Sequence, residues 1–397
     1  MHRLGFYLVG GASDFEAMLF ADDWLALAGN KAELEDIAGI LLVMTVLGYP
    51  FNWKKFRGGD VVGWVGYEID FSNFTVGISL VGAQWLIGWV RRTLEEGTVD
   101  VDDPVAVFGR FCFAMGPLDF LRPFLAPIFA WAAVVRGAGR LTLPWSVGFL
   151  LSFLSGQLGG AGRVHEVRLV SEDLGEAFRA DAKAEGSLVC VGGWECRGGV
   201  RPRDARWFSV ELSRATAPWA FSRGEPYRTI AALELYGTLL CVLAFSDRWP
   251  SSAAGRVKLA GTTDNLGNSW ILSRLMFTKF PMLLVLGELA VQLRDRNLQL
   301  HLEWAPRLQN EEADALTNGD FSAFRNENRV SIDPATLSFN ILPQLERVSE
   351  ELHSDIVRRR AEKCTKGARQ AKKVKLKERD PWGRVHFWLR HGPERTE

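Results

Sequence analysis

Hydrophobic and polar positions alternate in a different way in each part of the chain. In the first 80 residues, Asp-Asp and Gly-Gly pairs separate short apolar runs, which predicts strands at Met18 to Phe20, Trp24 to Ala28 and Val61 to Val65. Lys31 to Leu47 has apolar residues at helical spacing and ends at Gly48, so it is predicted to be a helix. From 83 to 157 apolar residues recur at helical spacing, which predicts a helical segment.

From Val167 onward the pattern becomes mixed. Strands are predicted at Leu188 to Trp194, Trp207 to Leu212, Val257 to Thr262 and Leu298 to Trp304, and helices at Thr229 to Phe245 and Phe280 to Arg294. Strands followed by interleaved helices indicate an α/β or α+β domain of about 150 residues. After Phe324 the chain is polar, and from Val357 a basic, low-complexity and mobile tail is expected.

Composition excludes wholesale disorder, because 47% of the 397 residues are hydrophobic. Lys plus Arg equals Asp plus Glu, at 47 each, but Arg358 to Arg379 holds eleven basic and two acidic residues. An acidic body therefore precedes a basic tail, and such asymmetry indicates a polyanionic partner. A nuclear-localisation signal or a merely solvated tail would have the same composition. The cations singled out for nucleic-acid binding in the tail are Arg358, Arg359, Arg360, Lys372 and Lys373.

The five cysteines are odd in number and scattered, which indicates a reducing compartment, so an intracellular protein, cytoplasmic or nuclear, is expected. Leu141 to Gly162 is an uncharged run of 22 residues, long enough for a membrane span. Its Pro144, Gln157 and five glycines favour a buried helix instead. No membrane association and no obligate protein partner are expected.

Four carboxylates stand close to predicted elements in the second half. Asp181 follows a short possible strand, Glu234 lies inside an apolar helix, Asp264 follows a strand, and Asp314 opens a helix. If they converge at one sheet edge they repel each other unless a cation lies between them, and oxygen ligands suit Mg²⁺ or Mn²⁺. Two such ions can activate water and stabilise the leaving oxygen of a phosphodiester. Taken singly, each residue is equally well read as a turn, helix-end or surface carboxylate.

The local sequence around these residues resembles that of the RNase H domain of retroelement reverse transcriptases, of the long-terminal-repeat or tyrosine-recombinase type. The motifs are Asp181-Ala182 with Gly192-Gly193-Trp194, the helix Ile230 to Leu235, Thr263-Asp264-Asn265, Trp304 to Arg307, and Asn310 to Thr317. The order Asp, Glu, Asp, Asp agrees as well. The resemblance implies that Asp181 bridges two Mg²⁺ or Mn²⁺ ions, that Asp314 completes the first site, and that Glu234 and Asp264 complete the second.

The first of these blocks departs from the family pattern. Ala180 stands where the family often has Thr, and Lys183 where a small polar residue is usual. Asp173 and Asp204 are the alternatives for the first catalytic Asp.

An Asp-Asp pair in the first half also resembles this family. Phe20-Ala-Asp22-Asp23 lies between two apolar runs and is followed by Leu47 to Phe56 and Gly63 to Tyr67, which is similar to the last three palm motifs of a reverse transcriptase. The resemblance makes Asp22 and Asp23 candidate metal ligands, and Lys54 and Lys55 candidate nucleic-acid contacts. Only 21 residues precede Asp22, so the upstream palm Asp and the fingers are expected to be missing, and DNA polymerase activity with them.

The resemblance spans about Glu16 to Ser322 and implies four regions. These are a partial palm at 1–80, a helical thumb or connection at 81–165, an RNase H-like mixed sheet flanked by helices at 166–325, and an extension with the basic tail at 326–397. The expected fold class is multidomain α+β and α/β. The expected function is that of an N-terminally truncated reverse transcriptase whose complete unit is an RNase H that cuts the RNA strand of RNA/DNA hybrids. The alternative is a non-catalytic nucleic-acid-binding relic of a retroelement.

Overall fold

The computed structural model of the protein describes residues 16–20, 23–100, 104–166, 170–250 and 256–370. Asp22, Lys372 and Lys373 lie outside these ranges, so the expectations that concern them stay predictions.

The N-terminal elements form a hairpin, a helix and a small sheet. Strands β1 (Glu16–Phe20) and β2 (Asp23–Leu27) pair antiparallel, as the Asp-Asp turn predicts. Helix α1 (Lys31–Val46) begins at Asn30, whose side chain accepts a hydrogen bond from the backbone N–H of Glu33. Strands β3 (Val61–Trp64), β4 (Tyr67–Asp70) and β5 (Thr75–Ile78) form an antiparallel sheet, which β8 (Val164–Glu166) joins beside β5.

Four helices follow, as the apolar spacing predicts. They are α2 (Leu80–Glu96), α3 (Pro104–Ala114), α4 (Arg122–Val135) and α5 (Trp145–Leu158). The short strands β6 (Thr98–Asp100) and β7 (Arg140–Thr142) pair beside them. Most of the apolar side chains of α5 are buried, as expected for a core helix rather than an exposed one.

A five-stranded mixed sheet forms the second half, in the order β11-β10-β9-β12-β13. Its strands are β9 (Val170–Glu185), β10 (Leu188–Glu195), β11 (Trp207–Glu211), β12 (Arg256–Thr263) and β13 (Leu298–Trp304). The first three are antiparallel neighbours, whereas β12 runs parallel to both β9 and β13. A three-stranded meander joined by crossovers to two parallel strands is the mixed sheet expected for an RNase H-like domain.

Helices flank this sheet. They are α6 (Ile230–Phe245), α7 (Leu266–Arg274), α8 (Met282–Asp295) and α9 (Glu311–Thr317). Helix α6 packs on β9 and β10 and against α8. By length and composition alone the segment Pro226–Arg248 could cross a membrane, but 72% of its apolar window is buried inside the protein. That burial, together with the carboxylate of Glu234, is typical of a core helix.

The chain ends, within the described ranges, in the long helix α10 (Leu342–Gln370). One apolar stripe of α10 is buried against α4, α5 and α8: Leu342, Leu345, Val348, Leu352 and Ile356. A large cluster of buried residues extends from Ile78 to Ile356, so the helices α2 to α5, most of the sheet and α10 share one core. A smaller cluster, which includes Trp194, Trp207 and Leu316, joins β10 and β11 to α9.

Two local expectations from the sequence are wrong. Residues 357–370 were expected to belong to a mobile tail but continue α10, because the stripe on the preceding turns anchors the helix. Asp181 was expected after a short strand but lies well inside β9, which is 16 residues long. The charged side chains that hid this strand are paired with neighbours, for example Asp173 with Lys258 on the adjacent β12 at 2.7 Å.

Candidate active site

Asp181 lies in the middle strand of the mixed sheet and is only 6% exposed. It stands directly opposite Gly192 of β10 in the antiparallel register. A Cβ atom on Gly192 would lie 2.8 Å from Cβ of Leu316 and 3.4 Å from the carbonyl oxygen of Ala313, both in α9. The glycine therefore allows α9 to approach the strand pair at the position of Asp181, so that the first and last predicted site residues come together.

Asp314 lies in the first turn of α9, and its side chain is 26% exposed. Its Oδ2 accepts a hydrogen bond from Nδ2 of Asn318 at 2.9 Å, while Arg307 donates to its Oδ1. Thr317, one turn further along α9, donates from Oγ1 to Oδ2 of Asp181 at 3.3 Å. Helix α9 thus contacts Asp181 directly.

Glu234 approaches Asp181 from helix α6, which packs on β9 and β10. It lies on α6 one turn before Gly237, where a Cβ atom would be 3.3 Å from Cβ of Ala180 and 3.6 Å from the carbonyl oxygen of Asp181. The close approach at Gly237 brings the buried carboxylate of Glu234 towards β9. Asn268 on α7 donates from Nδ2 to Oε2 of Glu234 at 3.5 Å.

Asp264 directly follows β12. Because Thr262 pairs with Arg179 in the parallel register, continuing both strands by two residues places Asp264 level with Asp181. The indole N–H of Trp304 donates to the carbonyl oxygen of Asp264 at 2.9 Å and ties it to the end of β13. Its Oδ1 is buried and has no hydrogen-bond partner among the described residues. A buried carboxylate oxygen without a partner is costly, which indicates that this oxygen serves a ligand.

The four carboxylates act on one another electrostatically. Burial first, and then Asp264, raises the pKa of Glu234 to about 8, with Asp181 adding to the effect. Burial and the charges of Asp264 and Asp314 raise the pKa of Asp181 to about 6. Asp181, Asp264 and Asp314 each act as a charge on at least one other of the four, and Glu234 feels two of these charges. Electrostatic interaction links the four groups, and their convergence around a cation at one edge of the sheet stays a prediction.

The donor set has the chemistry that a divalent cation requires. All four groups are oxygen ligands. A cation between them would lower the raised pKa values of Asp181 and Glu234, and would give a partner to Oδ1 of Asp264, which has none among the described residues. Within the described ranges, no three His, Cys, Asp or Glu side chains stand close enough together to hold an ion as they are. Asp314 instead forms an ion pair with Arg307.

Both alternatives for the first Asp are engaged elsewhere. Asp173 pairs with Lys258 and lies eight positions before Asp181 on the same strand. Asp204 pairs with Arg201 at 2.9 Å and with Arg325 at 3.6 Å. Of the three candidates, Asp181 alone interacts with Asp264 and Asp314.

The remaining predicted residues lie away from this cluster. Asp23 is exposed at the start of β2. Lys54 and Lys55 are exposed on a short 3₁₀ turn that also carries Trp53. On α10, Arg358 pairs with Asp355 and with Glu362 at 3.5 Å.

The other two tail cations that the structure describes also lie on α10. Arg359 pairs with Asp355 at 2.6 Å, whereas Arg360 is exposed. Part of the positive charge of this helix is therefore compensated by its own carboxylates.

Sequence reasoning missed the polar side chains that donate hydrogen bonds to Asp181, Glu234 and Asp314. They are Asn268, Arg307, Thr317 and Asn318. Arg307 and Thr317 stand inside the motifs that carry the resemblance, so their proximity to Asp314 in sequence was the available signal. Asn268 is 34 residues from Glu234 and gave none.

No protein-family model and no curated protein matches the sequence. Solved structures similar to the chain include RNase H1 of the halophilic archaeon Halobacterium salinarum, with 17% identity and a TM-score of 0.27 over 38% of this chain and 98% of that one. The foamy viral protease-reverse transcriptase in complex with an RNA/DNA hybrid has 10% identity and a TM-score of 0.34, over 76% of this chain and 37% of that one. An N-terminal RNase H domain from Mycobacterium tuberculosis has 19% identity and a TM-score of 0.23, over 38% of this chain and 96% of that one. Overall similarity at this level is low, and the case for the site rests on the geometry of this chain.

Proposed function

We propose that the mixed sheet and its helices form an RNase H-type endoribonuclease that cuts the RNA strand of RNA/DNA hybrids with Mg²⁺ or Mn²⁺. The chain as a whole would then be a relative of retroelement reverse transcriptases. The observation that carries the proposal is Asp264, whose Oδ1 is buried without a hydrogen-bond partner among the described residues and whose charge raises the pKa values of Asp181 and Glu234.

Each carboxylate has a defined part in this proposal. Asp181, central in the sheet, would bridge two ions, with Asp314 completing one site, and Glu234 and Asp264 the other. Two bound ions would activate a water molecule and stabilise the leaving oxygen of the phosphodiester. The protein itself fixes the carboxylates on rigid elements: β9, α6, α9 and the end of β12.

The burial of these groups serves the same chemistry. Burial first, and then neighbouring carboxylates, raise the pKa values of Asp181 and Glu234, so their ionised forms are held at a cost that a divalent cation offsets. The metal-bound site therefore has a compensating positive charge that the metal-free site lacks.

The test compares purified wild type with Asp264→Asn and with Asp60→Asn. Asp60 is exposed and distant from Asp264 in the sequence, so it serves as a matched control. A 5′-labelled RNA/DNA hybrid should be cut by wild type and by Asp60→Asn in Mg²⁺ or Mn²⁺, and not in EDTA. Asp264→Asn should lose at least about a hundredfold in rate, because it removes a ligand charge. Equal cleavage by wild type and Asp264→Asn would assign the activity to a contaminant and refute the proposal. Hybrid binding without cleavage by wild type would favour the non-catalytic relic.

A further inference from the structure

Arg307 occupies a position between the last strand of the sheet and the helix of Asp314. It begins a 3₁₀ turn, Arg307–Gln309, and its carbonyl oxygen accepts from the backbone N–H of Asn310 at 2.9 Å. Its guanidinium donates to Oδ1 of Asp314. The arginine side chain is 73% exposed, against 26% for the aspartate. A fixed backbone with an exposed, long side chain lets the guanidinium turn away without disturbing the turn.

Asp314 keeps its orientation without Arg307. Its Oδ2 is held by Nδ2 of Asn318 at 2.9 Å, and Oδ1 of Asn318 accepts from Nζ of Lys183 at 3.0 Å. Arg307 therefore contacts the other oxygen of a carboxylate that is already positioned. If Arg307 leaves, Oδ1 of Asp314 becomes available while the side chain stays in place.

The positive charge of Arg307 interacts with three of the four carboxylates. Asp314 is the first cause of the raised pKa of Arg307, and the charges of Asp181 and Asp264 also contribute. A guanidinium so placed partly offsets the repulsion that a divalent cation would otherwise offset. It is thus a built-in competitor for the same carboxylates.

We infer that Arg307 is a positioning residue that holds Oδ1 of Asp314 in the free protein and releases it to a divalent cation when a phosphate of the nucleic acid binds the guanidinium. The inference rests on the proposed function and adds a coupling between substrate and metal. Guanidinium binds phosphate through two parallel hydrogen bonds, so a backbone phosphate is a suitable second partner. An exposed ion pair contributes little to stability, so the exchange of partners is easy. Metal and hybrid then bind cooperatively, each favouring the other by the same factor.

The experiment measures Mn²⁺ binding by the electron paramagnetic resonance signal of free Mn²⁺, without any cleavage. The proteins are wild type, Arg307→Gln, Arg307→Lys and the control Arg203→Gln, which changes an exposed arginine on the segment between β10 and β11. Each is titrated alone and with an RNA/DNA hybrid that carries 2′-O-methyl groups, which prevent cleavage.

Arg307→Gln alone should bind Mn²⁺ about threefold or more tightly than wild type, the scale of an exposed ion pair. The hybrid should tighten Mn²⁺ binding to wild type and Arg203→Gln by about fivefold. It should change Mn²⁺ binding to Arg307→Gln by less than about twofold, with Arg307→Lys between. Equal Mn²⁺ affinity of wild type and Arg307→Gln, with equal response to hybrid, would overturn the inference while leaving the metal site intact. Absence of Mn²⁺ binding in all four proteins would overturn the proposed function and the inference with it.

Discussion

The side chain of Glu288 accepts a hydrogen bond from the backbone N–H of Ile341 at 2.8 Å. Its two oxygens also accept from the backbone N–H groups of Asn340 at 2.9 Å and Leu342 at 2.8 Å, and Glu288 itself is fully buried. The three N–H groups lie at the start of α10, where a helix has donors without internal partners. A carboxylate on α8 thus caps the helix that follows the sheet domain and joins the two.

Replacing Glu288 by Ala should lower the free energy of unfolding by about 2 to 4 kcal/mol, because three donors, two of them buried, lose their acceptor. Urea denaturation followed by circular dichroism measures this. Glu351→Ala, on the exposed face of α10, is the control and should stay within about 0.5 kcal/mol of wild type. A loss of similar size in both variants would contradict the capping role.

Stability without divalent cations should fall as the pH rises from about 5 to 8. Glu234, with its pKa raised to about 8 in the folded protein, binds a proton more tightly when folded, so its neutral form stabilises the fold at low pH and that contribution is lost as the pH passes about 8. Glu234→Gln removes the charge and should therefore be more stable than wild type at pH 9 in EDTA, by on the order of 2 kcal/mol. Near pH 5 the two should be alike. Chemical denaturation at both pH values measures the difference, and an equal difference at both would contradict the assignment.

Metal binding should release protons at neutral pH. At pH 7 Glu234 is mostly protonated, since its pKa is about 8, and a bound cation requires the carboxylate. Calorimetric titration with Mg²⁺ in buffers of different ionisation enthalpy should show release of roughly one proton per protein. In Glu234→Gln the release should fall to the smaller share from Asp181. Proton release that is the same in both proteins would place its source elsewhere.

The residues after α10 should supply most of the salt-dependent affinity for nucleic acid. Truncation after Gln370 removes Lys372 and Lys373 but keeps the buried stripe of α10. A tail that engages about 5 phosphates gives a slope near −4 for log affinity against log salt, and the truncated protein should have a much flatter slope. Cleavage at saturating hybrid should stay within about tenfold, because the carboxylates are untouched. An unchanged slope, measured by fluorescence anisotropy, would favour the targeting or solvated role of the tail.

The sequence pattern predicted most elements of the mixed sheet because each has a short-range signal. The strand Leu298–Trp304 alternates apolar and polar residues, and the helix Ile230–Phe245 is apolar throughout. The four acidic residues could be singled out from their positions at these elements and from the local motifs. Their mutual interaction required the tertiary structure.

Other features had no local signal or a signal that was overlooked. The long strand β9 carries Asp173, Glu176 and Arg179, whose charges pair with one another or with side chains of the neighbouring β12, so alternation could not identify it. Helix α10, in contrast, has apolar residues at 342, 345, 348, 352 and 356, a helical spacing that the polar average of the region concealed.

Gly192 bears on how such a site can be lost. The glycine touches no reacting atom, yet it stands opposite Asp181 and leaves room for the backbone of α9. The close approach of α9 to the strand pair β9 and β10 therefore depends on the absence of a Cβ atom at this position. Replacement of this glycine by alanine would leave every acidic residue in the sequence and still push α9 away from β9 and β10. A survey of the acidic residues alone would count such a chain as intact, so the inventory of an active site includes the empty volume between its elements.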